Sequence, residues 1–273
     1  MNGSSQQIKW KTTGTYHQPI EIQYTNDSST ANATYGWIGI DNATAGADND
    51  TVTYNWTMPD DITYRAKVRV LTKENNASID VNDTSDNNFK IKGGVTVTVP
   101  NIDNTWYVGD LMQINWTSTG NVTPVKVRFS VDNGLNWTDI NTSYPGHPGL
   151  NTYNWTVNET MRSALCLINI SDARTNFTSE VFDTSDVTFR VYPQINVTGP
   201  VVSQNVSAHS DTLVSWTRTG SVVNNVNVEY TLTGDPPWSP VIDANGTNAT
   251  GVATNQTTNI GTFRWRVPSS SLY

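Results

Sequence analysis

One short pattern occurs three times in this chain and restricts what the chain can fold into. It lies at residues 7–14, 113–120 and 213–220, and each copy places an apolar residue two positions before a Trp, with polar residues between and after them. Side chains two positions apart on a β-strand point to the same face. The pattern therefore predicts the same half-buried strand at three places in the chain.

The segments that follow each copy also recur. An alternating strand comes next, at residues 19–24, 124–129 and 225–230, and a second Trp-containing strand comes later, at residues 54–58, 153–157 and 263–267. Trp10, Trp116 and Trp216 are 106 and 100 residues apart. Repeats of this length with several short strands are domains, and the size is typical of a β-sandwich. Because no segment has helical periodicity, we expect an all-β chain.

The repeat predicts three β-sandwich modules, at residues 1–92 (module 1), 93–193 (module 2) and 194–273 (module 3). Module 1 is expected to lack its opening strand, because Val95 comes 21 residues before Trp116 and only nine residues come before Trp10. Module 3 stops at Val267, the counterpart of Val157, and is expected to lack its last strands. Either the chain is part of a longer repeat protein, or a neighbouring molecule supplies strands at open sheet edges.

Charge and cysteine content exclude several functions. Charged residues make up 15% of the chain and its net charge is −8, whereas nucleic-acid binding needs clustered Lys and Arg. We therefore expect no nucleic-acid partner. The single cysteine, Cys166, has no partner for an intramolecular disulfide, and its alternation with Ile168 and Ile170 indicates a core position. No apolar run approaches the ~18 residues of a membrane span.

The sequence is rich in Asn followed two positions later by Ser or Thr. There are 21 such sites, whereas random placement of the 32 Asn and 62 Ser or Thr gives roughly 7. Strand alternation favours this spacing in either order, yet the reversed order occurs only 8 times. Only the enzyme that attaches N-linked glycans distinguishes the two orders, so the bias predicts dense N-glycosylation and export.

Besides Asn2, the predicted glycosylation sites are Asn26, Asn32, Asn42, Asn49, Asn55, Asn76, Asn82, Asn115, Asn121, Asn136, Asn141, Asn154, Asn158, Asn169, Asn176, Asn196, Asn205, Asn245, Asn248 and Asn255. At Asn55, Asn115 and Asn154 the next residue is a Trp that is expected to point inward, so these Asn are predicted to face solvent.

Two matching Asp pairs are candidate calcium ligands. Asp83 and Asp86 precede Phe89, and Asp183 and Asp186 occupy the same places in module 2. Carboxylates beside polar turns suit calcium, but Asp also stabilises turns by accepting hydrogen bonds from its own backbone. The sequence predicts no cofactor but leaves calcium open at these Asp pairs, and the turn interpretation is the alternative to a calcium site.

No residue pattern indicates catalysis. The three His residues lie at unmatched positions and form neither a zinc set nor a triad with a recognisable nucleophile. Residues 130–137 match the Ser-x-Asp-x-Gly-x-x-Trp pattern of some propeller hairpins, which we interpret as a turn. The chain is therefore predicted not to be an enzyme.

Several segments of module 2 together resemble a known module. Residues 95–100, 106–110, 114–120, 130–137 and 183–189 resemble the tandem immunoglobulin/fibronectin-like β-sandwich repeats of prokaryotic surface proteins. They are also similar to the Ser/Thr-rich cell-wall module named for yeast glucan-synthesis proteins. The likeness covers module 2, most of module 1 and the front of module 3. It implies a secreted or cell-envelope protein, such as a surface-layer protein or an adhesin.

Our leading hypothesis is a structural glycoprotein of the cell surface, extracellular, in which copies of the chain assemble into a surface layer or filament. Its expected partners are other copies of itself and N-linked glycans. The first alternative is an adhesin or carbohydrate-binding protein, in which Trp37, Trp106 or Trp238 would stack on sugar rings. The second is a set of accessory domains of a larger secreted enzyme.

Overall fold

The computed structural model describes residues 4–14, 19–29, 36–44, 46–72, 81–220 and 223–269. In these ranges the chain forms β-strands and one short 3₁₀ turn, Glu159–Met161, and no α-helix. Nothing helical in the described ranges has the length and apolar character that crossing a membrane requires. The prediction of an all-β chain is confirmed.

Module 2 contains two sheets packed face to face. Its strands are β8 (Gly94–Val99), β9 (Thr105–Tyr107), β10 (Leu111–Thr119), β11 (Val125–Ser130), β12 (Thr138–Tyr144), β13 (Gly149–Thr156), β14 (Ser163–Asp172), β15 (Phe182–Thr184) and β16 (Phe189–Tyr192). The first sheet has the order β13-β10-β8, and the second has the order β12-β11-β14-β16-β9 with β15 also paired to β14. Strand β9 runs parallel to β16, and the other pairs are antiparallel. This is an immunoglobulin-like β-sandwich.

The core of module 2 lies between its two sheets. Along β10, Met112, Ile114 and Trp116 are fully buried and alternate with more exposed residues, as the repeated pattern predicts. From the opposite sheet, β14 contributes Ile168 and Ile170, which are also fully buried. Each such side chain contributes roughly 1.5–3 kcal/mol relative to an exposed one, so this core is the main source of the stability of the module.

Module 1 repeats this plan, but its described part has no counterpart of β8 or of β9. Its strands are β1 (Ser5–Lys11), β2 (Ile20–Thr25), β3 (Ile38–Ala43), β4 (Thr51–Thr57), β5 (Thr63–Thr72), β6 (Val81–Thr84) and β7 (Phe89–Ile91). The second sheet has the order β3-β2-β5-β6, with β7 also paired to β5. The first sheet contains β1 and β4 alone among the described residues. Strand β1, the counterpart of β10, therefore has no neighbour in the position of β8.

Module 3 forms the first sheet in full. Strands β17 (Gln194–Gly199), β18 (Asp211–Thr219) and β23 (Ile260–Arg266) pair in the order β17-β18-β23. The rest of the described module contains only two-residue strands, namely β19 (Asn225–Val226), β20 (Glu229–Tyr230), β21 (Ser239–Pro240) and β22 (Val252–Ala253).

The strand predicted at residues 225–230 is interrupted in the structure. The backbone N–H of Val228 donates to Ala249, and its carbonyl accepts from Val241, while the side chain of Asn227 accepts from the N–H of Gly251. The long loop that follows thus takes the hydrogen bonds that a straight strand would use. Module 1 and module 2 have no such interruption in β2 and β11, where the ladder with the neighbouring strand is continuous.

The predicted module boundaries fall between strands. Strand β7 ends before residue 92 and β8 begins after it, while β16 and β17 lie on either side of residue 193. The division itself stays a prediction. At the first boundary Ile62 and Tyr64 of module 1 pack against the core of module 2, and the N–H of Asn121 donates to Asp60 at 2.7 Å. Modules 1 and 2 therefore share a packed junction.

Cys166 lies in the core, as its alternation predicts. The side chain is fully buried on β14, and its Sγ donates to the carbonyl of Met161 at 3.0 Å. Burial raises the pKa of the Cys166 thiol to about 11. Its counterpart in module 1 is Ala66, which is also fully buried and also pairs with a Phe on the neighbouring strand. The position therefore requires a small side chain.

Candidate functional site

The candidate functional surface is formed by the predicted glycosylation sites. Of these 21 sites, 18 lie in the described residues, whereas Asn2, Asn32 and Asn76 lie outside them. Fifteen of the 18 are exposed, namely Asn26, Asn42, Asn49, Asn55, Asn82, Asn121, Asn136, Asn154, Asn158, Asn176, Asn196, Asn205, Asn245, Asn248 and Asn255. They occur in all three modules, on strands as well as in loops, so no module lacks accessible sites.

The exposure of the Asn sites on strands follows from the inward-pointing Trp beside each of them. Asn55 and Asn154 are exposed on β4 and β13, next to the buried Trp56 and the half-buried Trp155. Asn115 differs because β10 has a strand on each side, and its Oδ1 is buried and has no hydrogen-bond partner. Asn55 and Asn154 are therefore more open to a modifying enzyme than Asn115.

At three sites the local geometry orients the side-chain amide of the Asn. The Oδ1 atoms of Asn141, Asn158 and Asn255 accept a hydrogen bond from the backbone N–H two residues later, at 2.8–2.9 Å. This Asx turn fixes the carbonyl oxygen of the side chain and directs Nδ2, the atom that carries an N-linked glycan, the other way. At Asn158 the hydroxyl of Thr160 donates to the same oxygen.

Asn169 is the exception among the described sites. It is 3% exposed, its Nδ2 donates to Asp183 and Thr184, and its Oδ1 accepts from Arg128 at 2.8 Å. A glycan on Nδ2 would remove these bonds and would need space that the strand does not offer. The sequence contained a signal for this, because residues 167–170 are apolar on both sides of Asn169 and a strand without alternation is covered on both faces. In the folded chain Asn169 is therefore not expected to carry a glycan.

The pattern at residues 130–137 forms a turn, as interpreted from the sequence. The hydroxyl of Ser130 accepts from the N–H of Gly134, and Asp132 accepts from both the N–H and the Nδ2 of Asn136. These bonds from Asn136, together with one from Ser130, lower the pKa of Asp132 to about 2. The carboxylate of Asp132 thus stabilises the turn through these hydrogen bonds.

The candidate calcium ligands of module 2 have structural hydrogen bonds. Asp183 accepts from the N–H of Val97 at 2.7 Å, and Asp186 accepts from Nδ2 of Asn101 at 2.7 Å. Asp183 therefore fastens β15 to the middle of β8, and Asp186 fastens the β15–β16 turn to the segment that follows β8. The described part of the chain contains no cluster of three His, Cys, Asp or Glu side chains that could hold a metal ion. Calcium binding at Asp83 and Asp86 or at their counterparts stays a prediction.

The Trp residues proposed for sugar stacking differ in how open they are. Trp37 lies under the guanidinium of Arg69, at 4.2 Å from the ring centre. Trp106 packs against the core of module 2. Trp238 is 51% exposed in the long loop of module 3. Of the three, Trp238 has the most accessible ring.

Comparison with known proteins adds no argument to the strand pairing described above. No protein-family model matches the chain, and no curated protein matches it. Among solved structures, the chain is similar to the D1–D4 ectodomain fragment of ICAM-5, with 13% identity, a TM-score of 0.35, and coverage of 97% of this chain and 72% of that one. The assignment of the fold rests on the strand pairing described above.

Proposed function

We propose that this protein is a structural, N-glycosylated protein of the outer cell surface, in which repeated β-sandwiches form a surface layer or an extracellular filament. The observation that carries the proposal is the exposure of 15 of the 18 described sites on all three modules. An N-linked glycan requires an accessible Nδ2, and strand alternation does not account for the excess of sites in the forward order.

Glycans would also compensate for the low charge of the surface. Only 15% of the residues are charged, so charge repulsion between copies is weak. Several apolar side chains are exposed, among them Leu135 at 82% and Leu150 at 62%. Asn136 lies directly beside Leu135, and Asn154 lies on the same strand as Leu150. Sugars at these Asn would shield the neighbouring apolar groups from unwanted association.

The alternative in a different class is an adhesin or carbohydrate-binding protein. The exposed ring of Trp238, beside the prolines at 236 and 237, is the observation that favours it. A sugar ring could stack on this Trp because its face is not covered by a cation. One exposed ring gives a weak site, and Trp37 and Trp106 do not add to it. We therefore place this function second.

Glycopeptide mass spectrometry on protein from its native source tests the proposal. We expect a large mass excess at most of the 15 exposed Asn and none at Asn169, which serves as an internal control. Unmodified Asn throughout would overturn the glycoprotein interpretation and leave the adhesin or the enzyme accessory domain. A modified Asn169 would show that glycans are attached without regard to the fold described above.

A further inference from the structure

A polar cleft lies at the junction between modules 1 and 2. Two adjoining hollows of about 440 and 340 Å³ form the cleft, and they share Ile62, Thr63, Tyr64 and Arg174. The first three of these residues belong to module 1, and Arg174 belongs to module 2. Each hollow has a volume in the range of ligand sites in proteins. Both modules thus supply a wall of the cleft.

A row of stacked side chains crosses the junction beside the cleft. The guanidinium of Arg65 lies 4.7 Å from the ring centre of Tyr64, and that of Arg174 lies 5.1 Å from the ring centre of Phe177. The rings of Tyr64 and Phe177 meet edge to face, with their centres 6.4 Å apart. Cations and aromatic rings attract each other at these distances. The row therefore fixes the two walls of the cleft relative to each other.

The lining of the larger hollow contains both hydrogen-bond acceptors and donors. Asp27, Asp60 and Asp61 supply carboxylates, and Arg65 supplies a guanidinium. Arg65 and Asp27 form an ion pair at 3.8 Å, in which their side chains are 39% and 61% exposed. An ion pair this exposed is weak and leaves polar atoms of both groups open to other partners. Because sugar hydroxyls both donate and accept, a lining of mixed charge suits a carbohydrate.

Three predicted glycosylation sites lie at the cleft. Asn26 of module 1 and Asn121 of module 2 line the larger hollow, and Asn176 lines the smaller one. All three are exposed. The carbonyl of Asn26 accepts from the hydroxyl of Thr63 at 2.6 Å, and the N–H of Asn121 donates to Asp60 at 2.7 Å. These bonds fix the backbone of both residues, so a glycan on either one begins at the cleft.

Attachment of a glycan at the cleft makes weak contacts sufficient. A group tethered next to its binding site has an effective concentration on the order of millimolar there. Contacts too weak to capture a free sugar can therefore hold a tethered one. The first sugars would displace water from the polar lining and form hydrogen bonds in its place. Since Asn26 and Asn121 belong to different modules, a glycan on one can bond to the module of the other.

We propose that the glycans on Asn26 and Asn121 lie in this cleft and connect modules 1 and 2. The inference rests on the glycosylation proposed above and adds a site at which the glycans act. The glycan on Asn121 bonds to Asp27 and Arg65 across the junction, and the glycan on Asn26 bonds to Thr123, which lines the same hollow. Glycosylation at these two sites therefore stiffens the chain at the junction.

Hydrogen exchange of the Asn121 amide measures opening of the junction, because this N–H donates to Asp60 across it. The glycosylated protein from its native host is compared with Ser28→Ala, which removes the glycosylation site at Asn26. We expect exchange to become about threefold to tenfold faster. Ser28→Thr keeps the site and should exchange like the unmodified protein. Equal exchange in all three proteins would overturn the inference.

The same variants made without glycans separate the glycan from the side chain that is changed. The hydroxyl of Ser28 donates to Oδ1 of Asn88 at 2.8 Å, and Ser28→Ala loses this bond as well. In the chain without glycans, Ser28→Ala should leave the exchange of the Asn121 amide unchanged. An equal increase with and without glycans would assign the effect to the lost bond and would overturn the role of the glycan.

A change in the cleft itself tests the contact with the sugar. Arg65→Gln should speed exchange of the Asn121 amide more in the glycosylated chain than in the chain without glycans. Arg190→Gln is the matched control, because Arg190 is an exposed Arg that pairs with Asp103 and does not line the cleft. It should change neither form. An equal effect of Arg65→Gln in both forms would show that Arg65 acts on the junction without binding a glycan.

Glycopeptide mass spectrometry distinguishes failure of this inference from failure of the proposed function. Glycans at other sites but none at Asn26 and Asn121 would overturn the cleft site and leave the protein a glycoprotein. Glycans at both sites with no difference in exchange would have the same meaning. Absence of glycans from every Asn would overturn both the cleft site and the proposed function.

Discussion

Modules 2 and 3 contain the same first sheet but differ in what covers it. In module 2 a six-stranded second sheet lies against β8, β10 and β13, and Val97 is 2% exposed. In module 3 the described second layer consists of two-residue strands and loops, and Val197, the counterpart of Val97, is 63% exposed. Strands with the same apolar alternation thus form the same ladder in both modules. The opposing sheet determines whether that ladder encloses a core.

The Trp of the repeated pattern is buried in both modules by different means. Trp116 is covered by the core of module 2, where 17 buried residues cluster. Trp216 is 2% exposed although only three residues form the buried cluster of the described part of module 3. There the ring lies against Gly261 on β23, and its Nε1 donates to Thr254 at 3.0 Å. Gly261 and the hydroxyl of Thr254 therefore contribute to the burial of this ring in the described part of module 3.

The largest expected effect is the loss of the Trp in module 2. Trp116→Ala should lower the free energy of opening of the β10 amides by about 3–5 kcal/mol, because it leaves a large cavity in a closed core. Trp10→Ala in module 1 should lower the free energy of opening of the β1 amides by less, because the Trp10 ring is already half-exposed. Hydrogen exchange resolved by residue measures both. Equal losses in the two modules would contradict the difference in enclosure described here.

A smaller effect is expected from filling the space under Trp216. In Gly261→Ala the added Cβ would lie 2.1 Å from the indole ring, so the ring or the strand must move. We expect a loss of about 1–3 kcal/mol in the opening of β18, typical of overpacking. The matched control is Gly39→Ala on β3, where nothing lies within 4 Å of the added carbon. If both variants are equally stable, Gly261 is not what buries Trp216.

Much of the fold could be predicted from the sequence because local signals agree with the tertiary structure. The spacing of Ile114 and Trp116 defines an inward face, and the structure buries both. The repeat of that spacing locates β1, β10 and β18 without any knowledge of pairing. Cys166 was assigned to the core by its alternation with Ile168, and Ala66 at the same place in module 1 has the same environment.

The remaining features depend on contacts between distant residues. The break at Asn227 and Val228 arises from hydrogen bonds to residues 241–251, which local alternation does not reveal. Asn169 matches the glycosylation pattern, but its burial depends on Arg128 on β11 and on Thr184 on β15. The roles of Asp183 and Asp186 as hydrogen-bond acceptors also depend on β8, some 85 residues away.

The core position shared by Cys166 and Ala66 gives a third and smaller prediction. Cys166→Ala gives module 2 the residue that module 1 has at this position. It should lower the free energy of unfolding of module 2 by about 1 kcal/mol, since only the Sγ atom and its contacts are lost. In the unmodified protein, burial and the raised pKa should keep the thiol unreactive towards a disulfide reagent at neutral pH. Its rate of modification should follow the opening of module 2 in urea. Rapid labelling without denaturant would show that β14 is not enclosed.

The smallest effect concerns the junction between modules 1 and 2. Lys90 and Lys92, near the end of module 1, both form ion pairs with Glu180 of module 2. The distance between Nζ of Lys92 and the Glu180 carboxylate is 3.1 Å. Their hydrogen bonds lower the pKa of Glu180 below its ordinary value of 4.5. Because the folded state holds the charged form, this contribution is fully present above that value and is lost as the pH falls through the lowered pKa.

Module 1 should therefore open more easily at pH 3 than at pH 6, and part of that difference should come from Glu180. Glu180→Gln carries no charge at either pH and should reduce the difference, whereas Asp103→Asn, which removes an exposed ion pair within module 2, should leave it unchanged. Exchange of the β7 amides at the two pH values measures it. An unaltered difference in Glu180→Gln would mean that the junction is held by the packing of Tyr64 against Phe177 and not by charge.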